Sequence, residues 1–355
     1  MYILGIWASS LRSAAPAATS NLIAVGWNLT PFMYVYPWST VTGFGTKYAD
    51  PSPLVQNTIV RGIAFNPITN DITLTWASGA TGNNDIAVYS WAAGWGTKYT
   101  NAPTISAGAS LGGRDVSFTS TGADIVQVFA DFNPYSAGYP WSAGFGTQYA
   151  NPAGVATGGQ ARSVTFNASN TLIGTARGST PYINVWDFTS GVGFGSIYSN
   201  PLTLPTGAGQ GVSINKSTGD MALSHSITPF ITAYPWSGGF GTKYANPGTL
   251  PTGTGNGVSF NPAGTAIVVA HNTSPNVSAY PWSAGFGTKY ANPVTLPGLN
   301  GIQADFSADG TVVSISSTST PYIQTYPWSA GFGTKYANPA TAPTANGRGL
   351  SFNSI

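Results

Sequence analysis

A fourteen-residue phrase recurs through this sequence, and its spacing limits which folds the chain can adopt. The phrase YPWSAGFGTKYANP occurs at 280–293 and again, unchanged, at 326–339, and near copies begin at Tyr139 and Tyr234. The aromatic residue of its Gly-aromatic-Gly step recurs at intervals of 46 to 51 residues. Its seven positions are Phe44, Trp95, Phe145, Phe194, Phe240, Phe286 and Phe332. Seven repeats with a period of roughly 40–50 residues are typical of a propeller built from blades.

Each repeat contains the same order of short apolar segments and turns. In the sixth repeat, GVSF, TAIVVAH and NVSAYPW alternate with the turn-forming runs NPAG, NTSP and SAGFG, and TKYANP follows. Short segments separated by Asn, Pro and Gly predict β-strands joined by tight turns. We therefore predict an all-β fold, a seven-bladed β-propeller with four antiparallel strands per blade.

The first repeat lacks an innermost strand of its own, and the end of the chain supplies one. The run NLIAVGW begins the first repeat at its second strand, whereas RGLSF near the C-terminus matches the innermost strands of the other repeats. We predict that 348–355 completes the first blade and closes the ring, which removes exposed strand edges. The propeller then spans 21–355, and 1–20 forms an N-terminal arm.

The repeats resemble those of WD-repeat propellers over 21–355. The runs FNPAG and FSADG resemble that family's turn after the first strand, and Trp186-Asp187 stands where the family has its Trp-Asp pair. The sequence departs from the family in having Thr-Pro or Ser-Pro where the family has a Gly-His dipeptide and a buried Asp. The Gly-Phe-Gly and Asn-Pro steps also resemble propeller proteins of tailed-phage genomes, and that resemblance implies a place in a virion.

Composition argues against several classes of function. Only 6% of residues are charged, the net charge is +2, and every acidic residue is an aspartate. So small a positive charge argues against nucleic acid as a partner. The chain has no cysteine and no run of 18 apolar residues, so neither disulfides nor a membrane-spanning helix are expected.

The few charged residues fall at fixed places in the repeat. Four arginines begin innermost strands, and the other three repeats carry Gln or Asn at the matching place. We predict that these seven residues ring one opening of the central channel: Arg61, Arg114, Arg162, Gln210, Asn256, Asn300 and Arg348. Four more are predicted to form a wider ring around it: Trp27, Arg177, His225 and His271. Such a mouth would bind a carboxylate or phosphate through forked guanidinium donors. Alternatively, these side chains satisfy loop carbonyls and channel water.

The repeated phrase has three competing explanations: a structural brace, a repeated binding site, or a recent duplication without further meaning. Its Gly residues permit a tight turn, and its Trp, Phe and Tyr are suited to packing between blades. We interpret it as the brace. Five of the six lysines lie in it and are expected to be solvated on the outer rim: Lys47, Lys98, Lys243, Lys289 and Lys335.

No catalytic or cofactor motif stands out. His225 and His271 lie one period apart, but no Cys or Glu accompanies them, so we predict neither a metal nor a cofactor. Asp115 and Asp305 are the acids expected to lie in the channel, and no Ser/His/Asp arrangement accompanies them. We therefore predict that the chain is not an enzyme. A propeller enzyme that uses these channel acids is the alternative.

These observations favour a scaffold or recognition protein. We predict a structural, decoration or attachment protein at the surface of a phage virion. Its partners would be other virion proteins, bound through 1–20, and an anionic host glycan, bound by the ring. A stand-alone multivalent lectin is the alternative, because seven similar sites would give avidity for sugars.

Overall fold

The chain folds into a closed ring of seven antiparallel sheets. A computed structural model describes residues 21–53, 59–77, 85–103, 112–131, 133–154 and 159–353. Within these ranges every regular element is a strand, and no helix of a length and apolarity suited to crossing a membrane occurs in them. The seven-bladed, all-β propeller predicted from the repeat is confirmed.

The described residues form 24 strands, numbered in chain order. The first seven are β1 (Leu22–Trp27), β2 (Met33–Ser39), β3 (Gly43–Phe44), β4 (Val60–Phe65), β5 (Ile72–Trp76), β6 (Ile86–Trp91) and β7 (Trp95–Lys98). The next seven are β8 (Gly113–Phe118), β9 (Asp124–Phe129), β10 (Ser136–Pro140), β11 (Ala161–Phe166), β12 (Leu172–Arg177), β13 (Ile183–Thr189) and β14 (Gly193–Ile197). The last ten are β15 (Gly209–Ile214), β16 (Met221–His225), β17 (Ile231–Tyr234), β18 (Gly255–Phe260), β19 (Ala266–His271), β20 (Val277–Pro281), β21 (Gly301–Phe306), β22 (Val312–Ser317), β23 (Ile323–Pro327) and β24 (Gly347–Phe352). Blades 2 to 7 start at their innermost strands, which are β4, β8, β11, β15, β18 and β21.

Blade 1 combines strands from both ends of the described chain. β24 pairs antiparallel with β1, so that Ile23 lies opposite Phe352. The Leu22 amide donates to Asn353 Oδ1 at 2.7 Å, and the Asn353 amide donates to the Leu22 carbonyl at 3.2 Å. The innermost strands contact one another in circular order from β24 through β4, β8, β11, β15, β18 and β21 back to β24. The predicted closure of the first blade by the C-terminal strand is therefore confirmed.

The fourth strand is shortest in the blades that contain the Tyr-Pro-Trp sequence. In blades 3, 5, 6 and 7 it is reduced to a single bridge, such as Trp282 opposite Phe286. Blades 2 and 4 have Ser90 and Asp187 in place of that proline, and their fourth strands, β7 and β14, contain four and five residues. Proline has no N–H to donate across the sheet, so it ends the pairing there.

The repeated phrase packs between neighbouring blades. In every blade its Tyr meets, edge-on, the Trp or Phe near the end of the third strand of the next blade, with ring centroids 4.8 to 6.0 Å apart. The seven pairs are Tyr48–Trp91, Tyr99–Trp141, Tyr149–Phe188, Tyr198–Trp236, Tyr244–Trp282, Tyr290–Trp328 and Tyr336–Trp38. An edge-to-face pair contributes about 0.5–1.5 kcal/mol beyond the burial of its rings. The phrase thus braces the ring, and its last pair joins blade 7 to blade 1.

The lysines of the phrase bond within their own turns. Lys98 Nζ donates to Asn101 Oδ1 at 2.7 Å, and Lys335 Nζ donates to Asn338 Oδ1 at 2.6 Å. Lys47 Nζ forms an ion pair with Asp50 at 2.5 Å. These contacts occupy the lysines locally, as expected of a solvated outer rim.

Candidate functional site

The innermost strands form the channel wall, and a bulge at the start of each strand decides which side chains face the channel. In β8 the pairing with β9 shifts register between Gly113 and Asp115. A regular strand turns alternate side chains to opposite faces, but the bulge places Arg114 and Asp115 both on the channel side. The same shift occurs in β4, β11, β15, β18, β21 and β24. Each blade can therefore present two consecutive residues to one mouth.

The second residues of four consecutive innermost strands are arginines. In ring order these are Arg348, Arg61, Arg114 and Arg162, on blades 1 to 4. Gln210 and Asn256 hold the same place on blades 5 and 6. These six residues line one cavity of about 420 Å³ together with Asp115, Gln160, Ser163 and Gln303. We call the six the arginine mouth: its cationic half lies over blades 1 to 4 and its uncharged half over blades 5 and 6.

Close packing between neighbouring innermost strands explains why the third residue of these strands is often glycine. A Cβ placed on Gly62 would lie 2.6 Å from the Cα of Asp115 in the neighbouring strand. Real Cβ contacts do not reach that distance, so a side chain there would push the two strands apart. Asp115, Ser163 and Gln303 are the residues that carry side chains at this level. The mouth therefore narrows to a polar floor formed by these three.

The guanidinium groups of the mouth form no ion pair with an acid in the described ranges. Among described residues the single ion pair is that of Lys47 with Asp50, on the rim. Arg114 Nη2 donates to Gln160 Oε1 at 3.2 Å, whereas no hydrogen bond within the described ranges involves the guanidinium groups of Arg61, Arg162 or Arg348. The Nε atoms of Arg114 and Arg348 are buried without a partner. Buried donors are normally satisfied, so these groups are placed to receive a ligand or ordered water.

The arginines also raise one another's electrostatic energy. Burial, followed by repulsion from Arg114 and Arg348, lowers the pKa of Arg61 to about 10, while Asp131 acts weakly in the opposite sense. Burial and the charge of Arg162 likewise lower the pKa of Arg114, while Asp131 raises it. All four still carry a positive charge at neutral pH. An anion between them would relieve the repulsion, because it neutralises charge where water is partly excluded.

Asp115 lies on the floor of the mouth. Its carboxylate accepts hydrogen bonds from its neighbour Val116 N at 2.9 Å and from Val164 N of the next blade at 3.0 Å. Burial raises the pKa of Asp115 to about 6, while these amides and Ser163 pull it down. At neutral pH it is therefore mostly ionised, and it lies at the boundary between the mouth and the lower channel.

Asn300 does not belong to the ring predicted from the sequence. It lies in the turn before β21, exposed and with a φ of 50°, and its Nδ2 donates to Thr318 Oγ1 at 3.2 Å. The run NGIQADF has two more residues between its Asn-Gly and its Phe than NGVSF has. When the strands are aligned on their last residue, Phe306, the channel positions of blade 7 are Ile302 and Gln303. Counting back from that Phe would have found Gln303 from the sequence.

The predicted wider ring around the mouth is also wrong, because its four residues are buried inside their blades and do not line the mouth cavity. The four residues end the second strands of their blades and are at most 1% exposed: Trp27, Arg177, His225 and His271. Each contacts the residue seven positions further on, in the third strand. Trp27 packs edge-on against Tyr34 with ring centroids 4.2 Å apart, and Arg177 Nη1 donates to Asn184 Oδ1 at 2.9 Å. These are packing pairs inside blades, away from the mouth cavity.

The two histidines also pair with the residue seven positions further on. The Nε2 of His225 lies 2.9 Å from Thr232 Oγ1, and that of His271 lies 3.0 Å from Ser278 Oγ. Burial lowers the pKa of each to about 4, so both are neutral at physiological pH. No group of three or more metal-ligating side chains occurs in the part of the chain that the structure describes.

Solved structures with a similar fold cover nearly the whole ring. A protein from Bacteroides fragilis named a "putative 6-phosphogluconolactonase" matches with a TM-score of 0.68 and 12% identity, over 95% of this chain and 99% of its own. Its namesake from Bacteroides uniformis matches with a TM-score of 0.69 and 11% identity, over 94% and 100%. A protein from Lactobacillus plantarum matches with a TM-score of 0.70 and 13% identity, over 94% of this chain and 99% of its own. No protein-family model matches the sequence, and no curated protein matches it.

These similarities correct the functional prediction. At such low identity the likeness establishes the fold, a propeller of repeated sheets, and provides no link to WD-repeat proteins or to tailed-phage virions. The prediction of a virion structural protein is contradicted, because two neighbours with this fold are named putative 6-phosphogluconolactonases. Both names are those of an enzyme, whereas the sequence predicts a chain that is not one. No finding tests the predicted location or partners, and the arm at 1–20 lies outside the described residues.

Proposed function

We propose that the arginine mouth binds a small organic anion and that this chain is an enzyme-like propeller acting on it. One observation carries the proposal: four guanidinium groups from consecutive blades line one cavity of about 420 Å³, and none of them forms an ion pair with a described residue. A structural role for these arginines would require carbonyl or carboxylate acceptors, and among the described residues Arg114 is the one arginine of the four whose guanidinium has such an acceptor, Gln160. Phosphate and carboxylate oxygens are the acceptors that such forked donors match.

The uneven ring restricts the shape of the anion. The cationic half spans blades 1 to 4, whereas Gln210 and Asn256 offer amide groups on blades 5 and 6. An elongated molecule with its charged group under the arginines and hydroxyl or carbonyl groups under the amides fits this arrangement. The neighbours' name implies a phosphorylated lactone as their substrate, which belongs to that class of molecule.

Binding measurements test the anion site. Calorimetric titration with 6-phosphogluconate, inorganic phosphate and glucose should show affinity for the two anions and none for glucose. The double variant Arg61→Ala/Arg348→Ala should weaken anion binding by roughly tenfold for each arginine, since charged hydrogen bonds contribute about 1.5–3 kcal/mol each. The matched control is Lys98→Ala/Lys335→Ala, which removes the same charge from the rim. Equal losses in both double variants would contradict a specific site.

Hydrolysis of a lactone or ester is the second candidate function, and the position of Asp115 favours it. The carboxylate lies on the floor of the mouth cavity and is ionised at neutral pH, so it can accept a proton from an attacking water. The water oxygen bonds to the carbonyl carbon, the ring C–O bond breaks, and the proton passes through Asp115 to the departing oxygen. The arginines would hold the anionic end of the substrate during these steps.

The hydrolysis step has its own test. Asp115→Asn should lower the rate of 6-phosphogluconolactone opening, followed by acid release, by at least 100-fold. Its affinity for 6-phosphogluconate should stay within about threefold, because the arginines are unchanged. Asp309→Asn, an exposed acid in a turn of blade 7, is the control and should leave the rate unchanged. An unaltered rate in the Asp115 variant would contradict the role of this residue.

A further inference from the structure

A second, larger cavity occupies the opposite end of the channel. It has a volume of about 720 Å³ and is bordered by the first-to-second turns of several blades, for example at Pro67 and Ala168. We call it the far chamber and define it by the polar side chains Asp305, Lys216, Ser117, Ser259 and Ser351. Asp115 and Gln303 line both cavities, so they form the floor that the far chamber shares with the arginine mouth.

The wall of the far chamber is a ring of small residues with one exception. The fifth residue of the innermost strands is Ala, Ser or Thr on six blades and Asp305 on blade 7. The hydroxyls of Ser117 and Ser351 donate to the backbone carbonyl of the following residue, at 3.3 and 3.2 Å, whereas the single hydroxyl proton of Ser259 is within reach of both the Phe260 carbonyl and Asp305 Oδ1. Because the protons of Ser117 and Ser351 are used on these carbonyls, the lone pairs of their oxygens are left for a ligand. The wall is therefore rich in acceptors, with Asp305 as its charged member.

Lys216 is the one charged residue at its position in the first-to-second turns of the blades. The matching residue in the other blades is Pro, Ala or Ser, whereas Lys216 extends from blade 5 to blade 4 and donates to the carbonyl of Phe166. It is also the single lysine outside the repeated phrase. Its side chain lines the chamber, where the ammonium group can meet a molecule inside.

Lys216 and Asp305 do not neutralise each other. Both line the far chamber, yet the ion pair of Lys47 with Asp50 is the one formed by described residues. The Asp305 carboxylate accepts from Phe306 N at 3.0 Å and from Ser259 Oγ at 3.4 Å, but it has no cationic partner in the described ranges. One cavity thus holds an ammonium and a carboxylate on different blades, each without a counter-ion in the described part of the chain.

We propose that the far chamber binds a small zwitterion, with the ammonium of the molecule at Asp305 and its carboxylate at Lys216. The serine oxygens accept the remaining N–H groups of that ammonium. A molecule with one charge would satisfy half of this arrangement and leave the other charge buried without a partner, which is unfavourable. The site is separate from the arginine mouth and does not depend on the function proposed there.

Charge states around the chamber predict how this binding depends on pH. Burial, with a smaller effect of Asp115, raises the pKa of Asp305 to about 7, and burial lowers the pKa of Lys216 to about 8. Asp115 and Lys216 are the titratable groups that share the chamber with Asp305. Below about pH 7 the carboxyl takes up a proton and loses its attraction for an ammonium. Above about pH 8 the lysine loses its charge, so affinity for a zwitterion should be greatest between these values.

Titration with simple probes tests the proposal. Glycine, β-alanine and γ-aminobutyrate carry both charges at increasing separation, and acetate and methylammonium each carry one. Binding is followed by NMR or calorimetry at pH 7.5. At least one zwitterion should bind tenfold more tightly than acetate or methylammonium. Asp305→Asn and Lys216→Met should each reduce that affinity at least tenfold, while Lys335→Met and Asp309→Asn should leave it unchanged.

Three outcomes would overturn the inference. If acetate binds as tightly as every zwitterion, or if no probe binds at millimolar concentration, the chamber is not a zwitterion site. If Arg61→Ala/Arg348→Ala abolishes the binding while Asp305→Asn and Lys216→Met do not, the probes occupy the arginine mouth instead. Retention of zwitterion binding in that arginine variant is the result we expect.

Discussion

The outer rim and the inner channel of this ring are built on opposite principles. On the rim one phrase is repeated, and its Tyr, Trp and Lys side chains find partners in the same or the next blade, as Tyr290 does with Trp328. In the channel the residues change from blade to blade, and several, such as Arg61 and Arg348, lack protein partners among the described residues. The repeated ring-to-ring contacts hold neighbouring blades together. The function is to be sought where the repeat is broken and polar groups are left over.

The largest expected effect comes from opening the ring. Deleting 348–355 removes most of β24, and with it the buried side chains of Leu350 and Phe352, and exposes the edge of β1. We expect loss of the cooperative unfolding transition and self-association through the free edge. Scanning calorimetry and size-exclusion chromatography measure both. Deletion of 1–20 is the comparison, because it should leave the ring folded, and a monomeric, equally stable 1–347 chain would contradict closure by β24.

Two residues of the same repeated phrase, Trp328 and Lys335, should differ in how much they contribute to the free energy of unfolding. Trp328 is 7% exposed and contacts the rings of Tyr290, Phe306 and Phe332. Trp328→Ala should lower the free energy of unfolding by about 3–5 kcal/mol, as for other buried aromatic residues. Lys335→Ala should change it by less than about 0.5 kcal/mol. Urea unfolding measures both, and similar losses would show that the phrase stabilises the ring through its charge.

The next effect is a pH dependence of the free energy of unfolding, and it comes from the two buried histidines, His225 and His271. Because their folded pKa of about 4 lies below the unfolded value of 6.5, the unfolded chain binds more protons in between, and stability falls as pH drops through this window. Each histidine should contribute about 3 kcal/mol to this loss. Nearby Lys243 and Lys289 act in the same direction.

Comparison with a variant isolates this contribution. His271→Gln should lose about 3 kcal/mol less than the parent chain when urea unfolding is repeated at pH 7 and pH 4. The raised pKa values of Asp115 and Asp305 have the opposite sign, since stability from them falls as pH rises, and they cancel in the difference. Identical pH profiles would mean that His271 is not buried as described.

The smallest effect concerns the cationic half of the mouth. Arg348→Gln installs the residue that blade 5 has at this place. In low salt it should raise the free energy of unfolding by about 0.5–1 kcal/mol, which is measured as a slightly higher melting temperature. The gain should shrink in high salt, where repulsion is screened. Lys335→Gln is the control and should show no gain. A destabilised Arg348→Gln variant would mean that this arginine supports the fold.

Much of the fold was predictable because it depends on local spacing. The period of the Gly-aromatic-Gly step and the match of RGLSF to other innermost strands defined seven blades and their closure. The channel was predictable in part: Arg61, Arg114, Arg162, Arg348, Gln210 and Asn256 share a register, and they do line one cavity. Asn300 was misplaced because an Asn-Gly pair, which belongs to a turn, was aligned in place of the Phe that fixes the strand.

The remaining errors have a tertiary cause. Whether His225 or Arg177 faces solvent depends on the third strand that folds over it, and a charged residue near a turn gives no sign of that burial. Function was harder still. Scarcity of charge and a repeated phrase describe how this ring is stabilised, and they do not identify the protein's surroundings.

The contact between Leu22 and Asn353 has a consequence for how such a chain is assembled and modified. Because the polypeptide returns to its starting blade, the order of blades around the ring has no structurally distinct first member. A circular permutant with residues 22 and 353 linked, and with new ends between blades 5 and 6, should form the same seven sheets, since exposed connections tolerate such cuts. The arginine mouth and far chamber would be unchanged, although their residues would then be encoded in a different order.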